Sequence, residues 1–462
     1  MAGVPQPQRR PTAALTFGLF IVVTALAFEN MAVQTAMPAA AAELGQVQLY
    51  AWVFTLFVIA MLFATVAAGR WCDARGPVTP AWVGFGVFAA GLVLGGSAPS
   101  MGVLLAARFV QGLGAGILNL TATVLAARAY DERERATLMT WFSAAWMLPA
   151  FAGPPLSAAI AQYWNWRFVF WTVLPVTLLA AALCAAPLIR LARSAHGGGH
   201  AEANPVPIWA ATAVALGTAA LQLAGQRLEW TSLAIAAAGV LGLGFGLPKL
   251  LPAGLPRTLL PAPGLASLIA VRALTAGAFF GAEVFVPLML VQLRGWTLFW
   301  AGAALTVGSA GWMGGAWLQS RPWLGWRRDR IIVAGAACVG GGVAAVAVVT
   351  WLPTPWLVLA VTGWVVCGFG MGLLVASTTL ATLQLSPAPQ QGRNTAAIQL
   401  ADALGTAVAG GVAGTIFAAL HSRTEGAATF GWVLVTMAIT GTLSALLAAR
   451  IGSIRNYSAD PA

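Results

Sequence analysis

Charge is what this chain has least of. Asp, Glu, Lys and Arg make up 8% of its 462 residues, against about 25% in an ordinary soluble domain. A globule so poor in charge would not stay dissolved, so the composition points to an integral membrane protein. Cysteine is scarce too. Cys72, Cys184, Cys338 and Cys367 are scattered without metal-ligand spacing and read as small buried apolar residues. His196 and His200 flank a glycine run in a polar stretch, where a linker is the ordinary reading and metal ligation the alternative. No nucleophile elbow, zinc motif or phosphate loop is present. LGLGFG, 241–246, lacks the preceding strand and the spacing of a nucleotide-binding turn. The chain is therefore expected to be no enzyme and to hold no cofactor and no metal. A net charge of +11 raises nucleic acid as a partner, but the placement of the basic residues assigns that charge to membrane topology instead.

What the chain has in abundance is long apolar runs. Fourteen of them, from 13–38 to 427–449, approach or exceed the roughly 20 residues that span a bilayer. With the N-terminus inside, eighteen basic residues fall on the cytoplasmic side, four fall outside, and Arg108 and Arg272 lie within spans. An odd number of helices would break that alternation. The first run follows Arg9 and Arg10 and holds Glu29, so it reads as a retained helix rather than a cleaved signal. The expected fold is an all-α membrane protein of 14 transmembrane helices, two six-helix bundles with an inserted central pair. The expected divisions are an N-terminal bundle (1–190), a cytoplasmic linker (191–206), the inserted pair (207–250), a second cytoplasmic linker (251–263), a C-terminal bundle (264–450) and a cytoplasmic tail (451–462). The expected location is the cell inner (plasma) membrane, multi-pass, with both termini cytoplasmic.

The chain is organised around LLAARFVQGLGAGIL, 104–118. Arg108 is a permanent charge inside an apolar segment, and Gly112, Gly114 and Gly116 strip part of the helix surface of side chains. Two readings are open: an arginine held toward an internal cavity, or one snorkelling from a helix end. WVVCGFGMGLL, 364–374, repeats RFVQGLGAGIL, with Gly368, Gly370 and Gly372 on the three glycines and Trp364 in the place of Arg108. A duplicated half explains the match; chance likeness of two glycine-rich helices is the alternative.

Five charges lie inside spans: Glu29, Arg108, Arg272, Glu283 and Asp402. Each is costly in lipid, so each is a functional candidate, with structural ion pairing as the alternative. A carboxylate held between burial and a neighbouring arginine can take and release protons. Arg272 and Glu283 are eleven residues apart on one helix, about 16 Å along its axis, so they cannot pair directly but can line one pathway at two depths. Three embedded carboxylates against two arginines leave a slightly negative cavity. Glu283, with no basic residue near it on its own helix, is the expected acidic contact for a cation, with Phe279 and Phe280 beside it.

LAARFVQGLGAG resembles the fourth-helix signature of the major facilitator superfamily, on Arg108, Gln111, Gly112 and Gly116. ENMAVQTAMP resembles the first-helix signature of its drug:proton antiporter branches, with Glu29 in the aspartate place and Pro38 in the proline place. GRWCDARGP resembles the loop signature between helices two and three at Gly69, Asp73 and Gly76, but Ala74, Pro77 and Val78 replace basic residues. GPPLSAAI resembles the fifth-helix antiporter signature at Gly153 and Pro154, while Pro149, Ser157 and Ala158 stand where glycines are usual. The layout resembles the fourteen-helix drug exporters.

That resemblance implies a monomeric, two-lobed carrier working by alternating access, with protons, a small-molecule substrate and the lipid bilayer as partners. The embedded charges assign proton coupling to Glu29, Arg108 and Asp402, and the main carrier is open among Glu29, Glu283 and Asp402. Substrate contacts fall to Glu283, Phe279, Phe280, Arg272, Gln34 and Trp364. Gating and packing fall to Gly69, Asp73, Gly76, Gly112, Gly116, Gly153 and Pro154. Asp73 has a second reading, a solvated charge at a helix end. The leading function is proton-coupled efflux of cationic or zwitterionic amphipathic compounds. A lipid or glycolipid translocator on the same fold, and a non-transporting receptor or scaffold, are the alternatives.

Overall fold

The computed structural model describes residues 13–130, 132–194, 207–226, 230–250, 263–321, 323–353, 357–387, 390–421, 424 and 426–454. The expectations placed on Arg9, Arg10, Arg227, Arg257, Arg423 and Arg455, on most of both linkers, and on the tail from 455 lie outside the described residues.

The described residues form fourteen α-helices. The first six are α1 (Ala13–Leu44), α2 (Tyr50–Arg75), α3 (Val78–Gly96), α4 (Met101–Ala129), α5 (Glu132–Tyr163) and α6 (Arg167–Ser194). A pair follows, α7 (Ile208–Gln226) and α8 (Trp230–Leu250). The last six are α9 (Leu265–Arg294), α10 (Leu298–Gln319), α11 (Arg328–Val349), α12 (Leu357–Leu385), α13 (Gln391–His421) and α14 (Gly426–Ala448). Thirteen are long and apolar enough to cross a membrane, and the chain is a multi-pass membrane protein. The helix that falls short is α10. Its 22 residues reach about 33 Å, enough to span. It carries five glycines and three tryptophans, which dilute its apolar side chains. Its glycines serve packing instead.

The first six helices and the last six repeat one packing pattern. In the first set α1 packs on α5 and α6, α4 lies between α2 and α3, and α3 meets α6. In the last set α9 packs on α13 and α14, α12 lies between α10 and α11, and α11 meets α14. The sets join chiefly where α2 meets α13 and α5 meets α10. The inserted pair attaches through α7, which packs on α13 and α2, while α8 packs mainly on α7.

The glycine repeat explains the sandwiching. A Cβ at Gly112 or Gly116 would collide with the Phe57 or Met61 carbonyl on α2, and one at Gly114 with the Phe88 backbone on α3. A Cβ at Gly368 or Gly372 would collide with the Gly308 or Trp312 carbonyl on α10, and one at Gly370 with Gly335 on α11. Both triplets therefore set helix spacing at backbone contact on two sides. The duplication read from sequence is a duplication of packing.

Proline does not end helices here. The sequence reading stops the first span at Pro38, but α1 runs on to Leu44, and α5 contains Pro149, Pro154 and Pro155. Lipid offers no water to a frayed end, and neighbouring helices keep a kinked one in place.

Candidate functional site

Arg108 sits on α4 with its side chain aimed between α1 and α2, and it is fully enclosed. Its Nη1 donates to Glu29 Oε1 and to Gln111 Oε1 (2.6 Å), and its Nε donates to the Val53 carbonyl (3.0 Å). The guanidinium lies over the Phe57 ring, 4.2 Å from its centroid. Gln111 in turn donates to the Gly91 carbonyl of α3 at 2.9 Å. One arginine thus ties α1, α2, α3 and α4 together. Arg108 does not snorkel, being 2% exposed against 0% for Glu29, and it is packed against Phe57 and the Val53 carbonyl rather than held toward a cavity. Glu29 Oε2 has no hydrogen-bond partner.

Arg272 and Asp402 form a second pair, 130 positions apart in sequence. Arg272 Nε and Nη2 grip the two Asp402 oxygens at 2.5 and 2.7 Å. Its Nη1 donates to the Val375 carbonyl and Thr378 Oγ1, both at 2.8 Å. This fork joins α9, α12 and α13. The arginine expected at a substrate contact and the carboxylate expected in proton coupling are one bidentate unit.

Glu283 is the buried carboxylate without such a partner. It is 6% exposed and joins no ion pair among the described residues. The Gln34 side chain lies beside its carboxyl, and Cys367 is close by. Glu283 Oε2 and Gln34 Oε1 have no hydrogen-bond partner. The two residues hold equivalent places in the repeat: Gln34 is four before Pro38 in α1, and Glu283 four before Pro287 in α9. Proline has no N–H, so the backbone carbonyls of both residues lose their helical donor. The helix pair related by the duplication therefore meets at two turns that each carry a buried polar side chain and a carbonyl without its helical donor.

Aromatic rings fill the space around Glu283 on the α9–α12 side. Phe279 stacks on Trp364, centroids 5.1 Å apart and planes 19° off parallel. Phe280 and Trp312 meet Phe279 edge-on at 5.2 and 5.5 Å. Trp364 is buried behind Phe279, its Nε1 turned to Gly308 and without a hydrogen-bond partner. Phe280 instead reaches a cavity of about 20 Å³ between the two helix sets, lined also by Phe54, Thr55, Val284, Thr406 and Gly410. That is room for about one water.

The family model of the Major Facilitator Superfamily matches residues 19–410. The chain belongs to that superfamily. It is 29% identical over 322 residues to an uncharacterized MFS-type transporter of Mycobacterium tuberculosis strain H37Rv, covering 64% of this chain and 45% of the relative. It is 29% identical over 178 residues to the multidrug transporter protein MdtP of Bacillus subtilis strain 168, covering 38% of this chain and 33% of the relative. The matches thus span less than half the length of either curated relative. A crystal structure of the peptide transporter POT in complex with sulfate superposes with a TM-score of 0.68 at 16% identity, covering 96% of this chain and 97% of that one. That likeness is one of fold. The superfamily is one of transporters, and the curated relatives that the chain matches are named as transporters.

Among superfamily members, this chain's signature positions divide between contact and turn. Gly112 and Gly116 are the close approaches already described. A Cβ at Gly153 would sit 3.4 Å from Met31 Cβ, so α5 lies flush on α1 there. Ser157, one of the places where the signature's glycine is missing, donates to the Ala32 carbonyl at 2.6 Å and strengthens the same contact. The Pro154 carbonyl faces Gly302 of α10, 2.9 Å from where a Cβ would stand. Gly76 has φ +76° and caps α2, its N–H donating to the Cys72 carbonyl at 2.9 Å. Asp73 lies half-buried in the last turn of α2, and Gly69 meets Leu120 at ordinary contact distance. Sequence reasoning missed Val53, Phe57, Trp312, Val375 and Thr378, which complete the shells around the charges and rings. Apolar residues and threonines in spans carry no signal of that kind.

Proposed function

We propose that this transporter is a proton-coupled exporter of small amphipathic compounds, cationic or zwitterionic, working by alternating access. The observation that carries the reading is Glu283, a buried carboxylate with no cationic partner, facing Gln34 where the two helix sets meet. A proton or a substrate cation supplies the missing positive charge, and a single group that accepts either in turn exchanges one for the other. Phe279 and Phe280 add apolar and cation–π contact. Glu29, held by Arg108, and Asp402, held by Arg272, are the further proton-coupling groups.

Alternating access is supported by where the two sets are bonded. Tyr50 Oη donates to the Val284 carbonyl (3.2 Å), Phe299 N to Gln162 Oε1 (3.4 Å) and Thr306 Oγ1 to the Phe151 carbonyl (3.4 Å). All three bonds lie toward the end of the bundle that carries Gly45, which the basic-residue asymmetry makes the outer end. In this reading the outer gate is closed. The two bundles, 1–190 and 264–450, rock about the Gln34–Glu283 contact, both termini are cytoplasmic, and the unit is a monomer in the plasma membrane.

The test is flux into proteoliposomes under an imposed pH gradient, with matched cationic and neutral amphiphiles. Gradient-driven transport of the cation by the wild type, lost in Glu283→Gln with the fold intact, supports the reading. A wild type that moves only neutral lipids or anions, or that ignores the gradient, overturns it.

A further inference from the structure

The segment joining α10 to α11 is unlike its counterpart in the first helix set. Between α2 and α3 the chain turns through Gly76 and Pro77. Between α10 and α11 it makes a longer excursion, SRPWLGWR, flanked by Trp317 at the end of α10 and by Asp329 and Arg330 in the first turn of α11. The excursion is well bonded. Ser320 N and Arg321 N donate to the Trp317 and Leu318 carbonyls, and Leu324 N donates to the Arg321 carbonyl, at 3.1 to 3.2 Å. Leu324 is the plug: it is buried against Ile331 of α11 and Leu373 of α12. The tail reinforces the platform, since Arg328 N donates to the Ile454 carbonyl and Ile454 N to Asp329 Oδ1, both at 3.0 Å.

This scaffold presents three large rings outward. Trp317 is 53% exposed, Trp323 67% and Trp326 53%. A tethered turn that buries a leucine and displays three indoles is built to face something other than bulk water. Indole, apolar with one N–H, suits the bilayer–headgroup boundary. The charges of the platform and of the α14 end that join no ion pair among the described residues are of one sign. Arg321 lies over the Trp317 ring at 4.5 Å, and Arg330 and Arg450 are exposed; none of the three joins an ion pair among the described residues. Arg327 is already matched by Asp329, at 3.0 and 3.1 Å. At the opposite end of the bundle Trp164 is also exposed, but its neighbour Arg167 is paired with Glu43 at 2.5 Å. At that outer site the positive charge beside the exposed ring is compensated, and at the α10–α11 platform it is not.

We propose that the α10–α11 platform binds the headgroup phosphates of anionic phospholipids, with Trp317, Trp323 and Trp326 seated at the headgroup boundary and Arg321, Arg330 and Arg450 as the counter-charges. Basic residues at a membrane surface attract anionic lipid by an amount that falls with salt. The platform depends on the bilayer setting alone and not on what is transported.

The experiment uses the full chain, purified, stripped of lipid and titrated with phosphatidylglycerol or phosphatidylcholine, with bound lipid counted by native mass spectrometry. The wild type should prefer phosphatidylglycerol by about tenfold at low salt, the preference shrinking as salt is raised. Arg321→Gln/Arg330→Gln should bring the two lipids near parity, with its thermal midpoint unchanged. Trp323→Ser/Trp326→Ser should weaken both lipids while leaving their ratio. Inorganic phosphate at matched concentration should not compete. A wild type without preference overturns the proposal. So does a folded double arginine variant that keeps the preference, and so does displacement by free phosphate, which would mark an anion pocket rather than a membrane surface.

Discussion

Arg108 on α4 and Trp364 on α12 hold the same place in two copies of one scaffold. The glycine triplets beyond them hold their helices at the same backbone contact. The chemistry built on that place differs. Arg108 pairs with Glu29 and takes a carbonyl, an amide oxygen and an aromatic face besides. Trp364 stacks on Phe279 and bonds to nothing through its Nε1. Counting back from Pro38 and Pro287, Glu29 matches Ala278, the neighbour of Phe279, so the partner was exchanged along with the arginine. The duplication fixes where helices touch, and the side chains at the touching point are free to become an ion pair or a ring stack. The two solutions fail differently. An ion pair broken on one side leaves a stranded charge, whereas a broken stack leaves a void.

The sharpest break is Arg108→Ala. It leaves Glu29 enclosed without its counter-charge and should cost about 3–5 kcal/mol. Thermal unfolding in detergent should show a large drop, much of it recovered by Glu29→Gln in the same chain. A single variant as stable as the wild type would show that the pair is not what holds α1 to α4.

Next in size is a transplant. Trp364→Arg alone loses the stack on Phe279 and puts a charge among rings, with Glu283, one turn along from Phe279, the nearest carboxylate, and should destabilise by about 3 kcal/mol. Adding Phe279→Glu supplies a carboxylate at the stacking distance and should restore part of the loss. If the double variant is no better than the single one, the two places are alike in backbone only.

Gly112→Ala and Gly368→Ala should behave alike, because each Cβ meets a carbonyl of the neighbouring helix, Phe57 in one set and Gly308 in the other. Each should lower stability by about 1–3 kcal/mol. Clearly unequal losses in a thermal-shift measurement would mean that the two contacts are not equivalent.

The smallest effect concerns the joint between the sets. Tyr50→Phe removes the bond to the Val284 carbonyl and should cost about 0.5–1.5 kcal/mol. Single-cysteine accessibility in a background without the native cysteines should rise for positions beside Tyr50, such as Ala51. Unchanged labelling would show that this bond does not hold that end shut.

The sequence by itself determined the number of helices, most of their limits, the duplicated glycine triplet and the five embedded charges. Spans are runs of apolar residues, and a run is a one-dimensional property. Glycine spacing along a helix is another. Even so, α1 outran its reading at Pro38, because neighbours rather than local propensity decide whether a proline ends a buried helix.

Only the tertiary structure decided who faces whom. Arg272 took Asp402 from 130 positions away, and Glu283 was left with Gln34. Trp364 turned behind Phe279 while Phe280 reached the cavity. These outcomes depend on the rotation and depth of one helix against another. Hydropathy is blind to both, since a charge costs the same at that depth whichever way it points until a partner on another helix meets it.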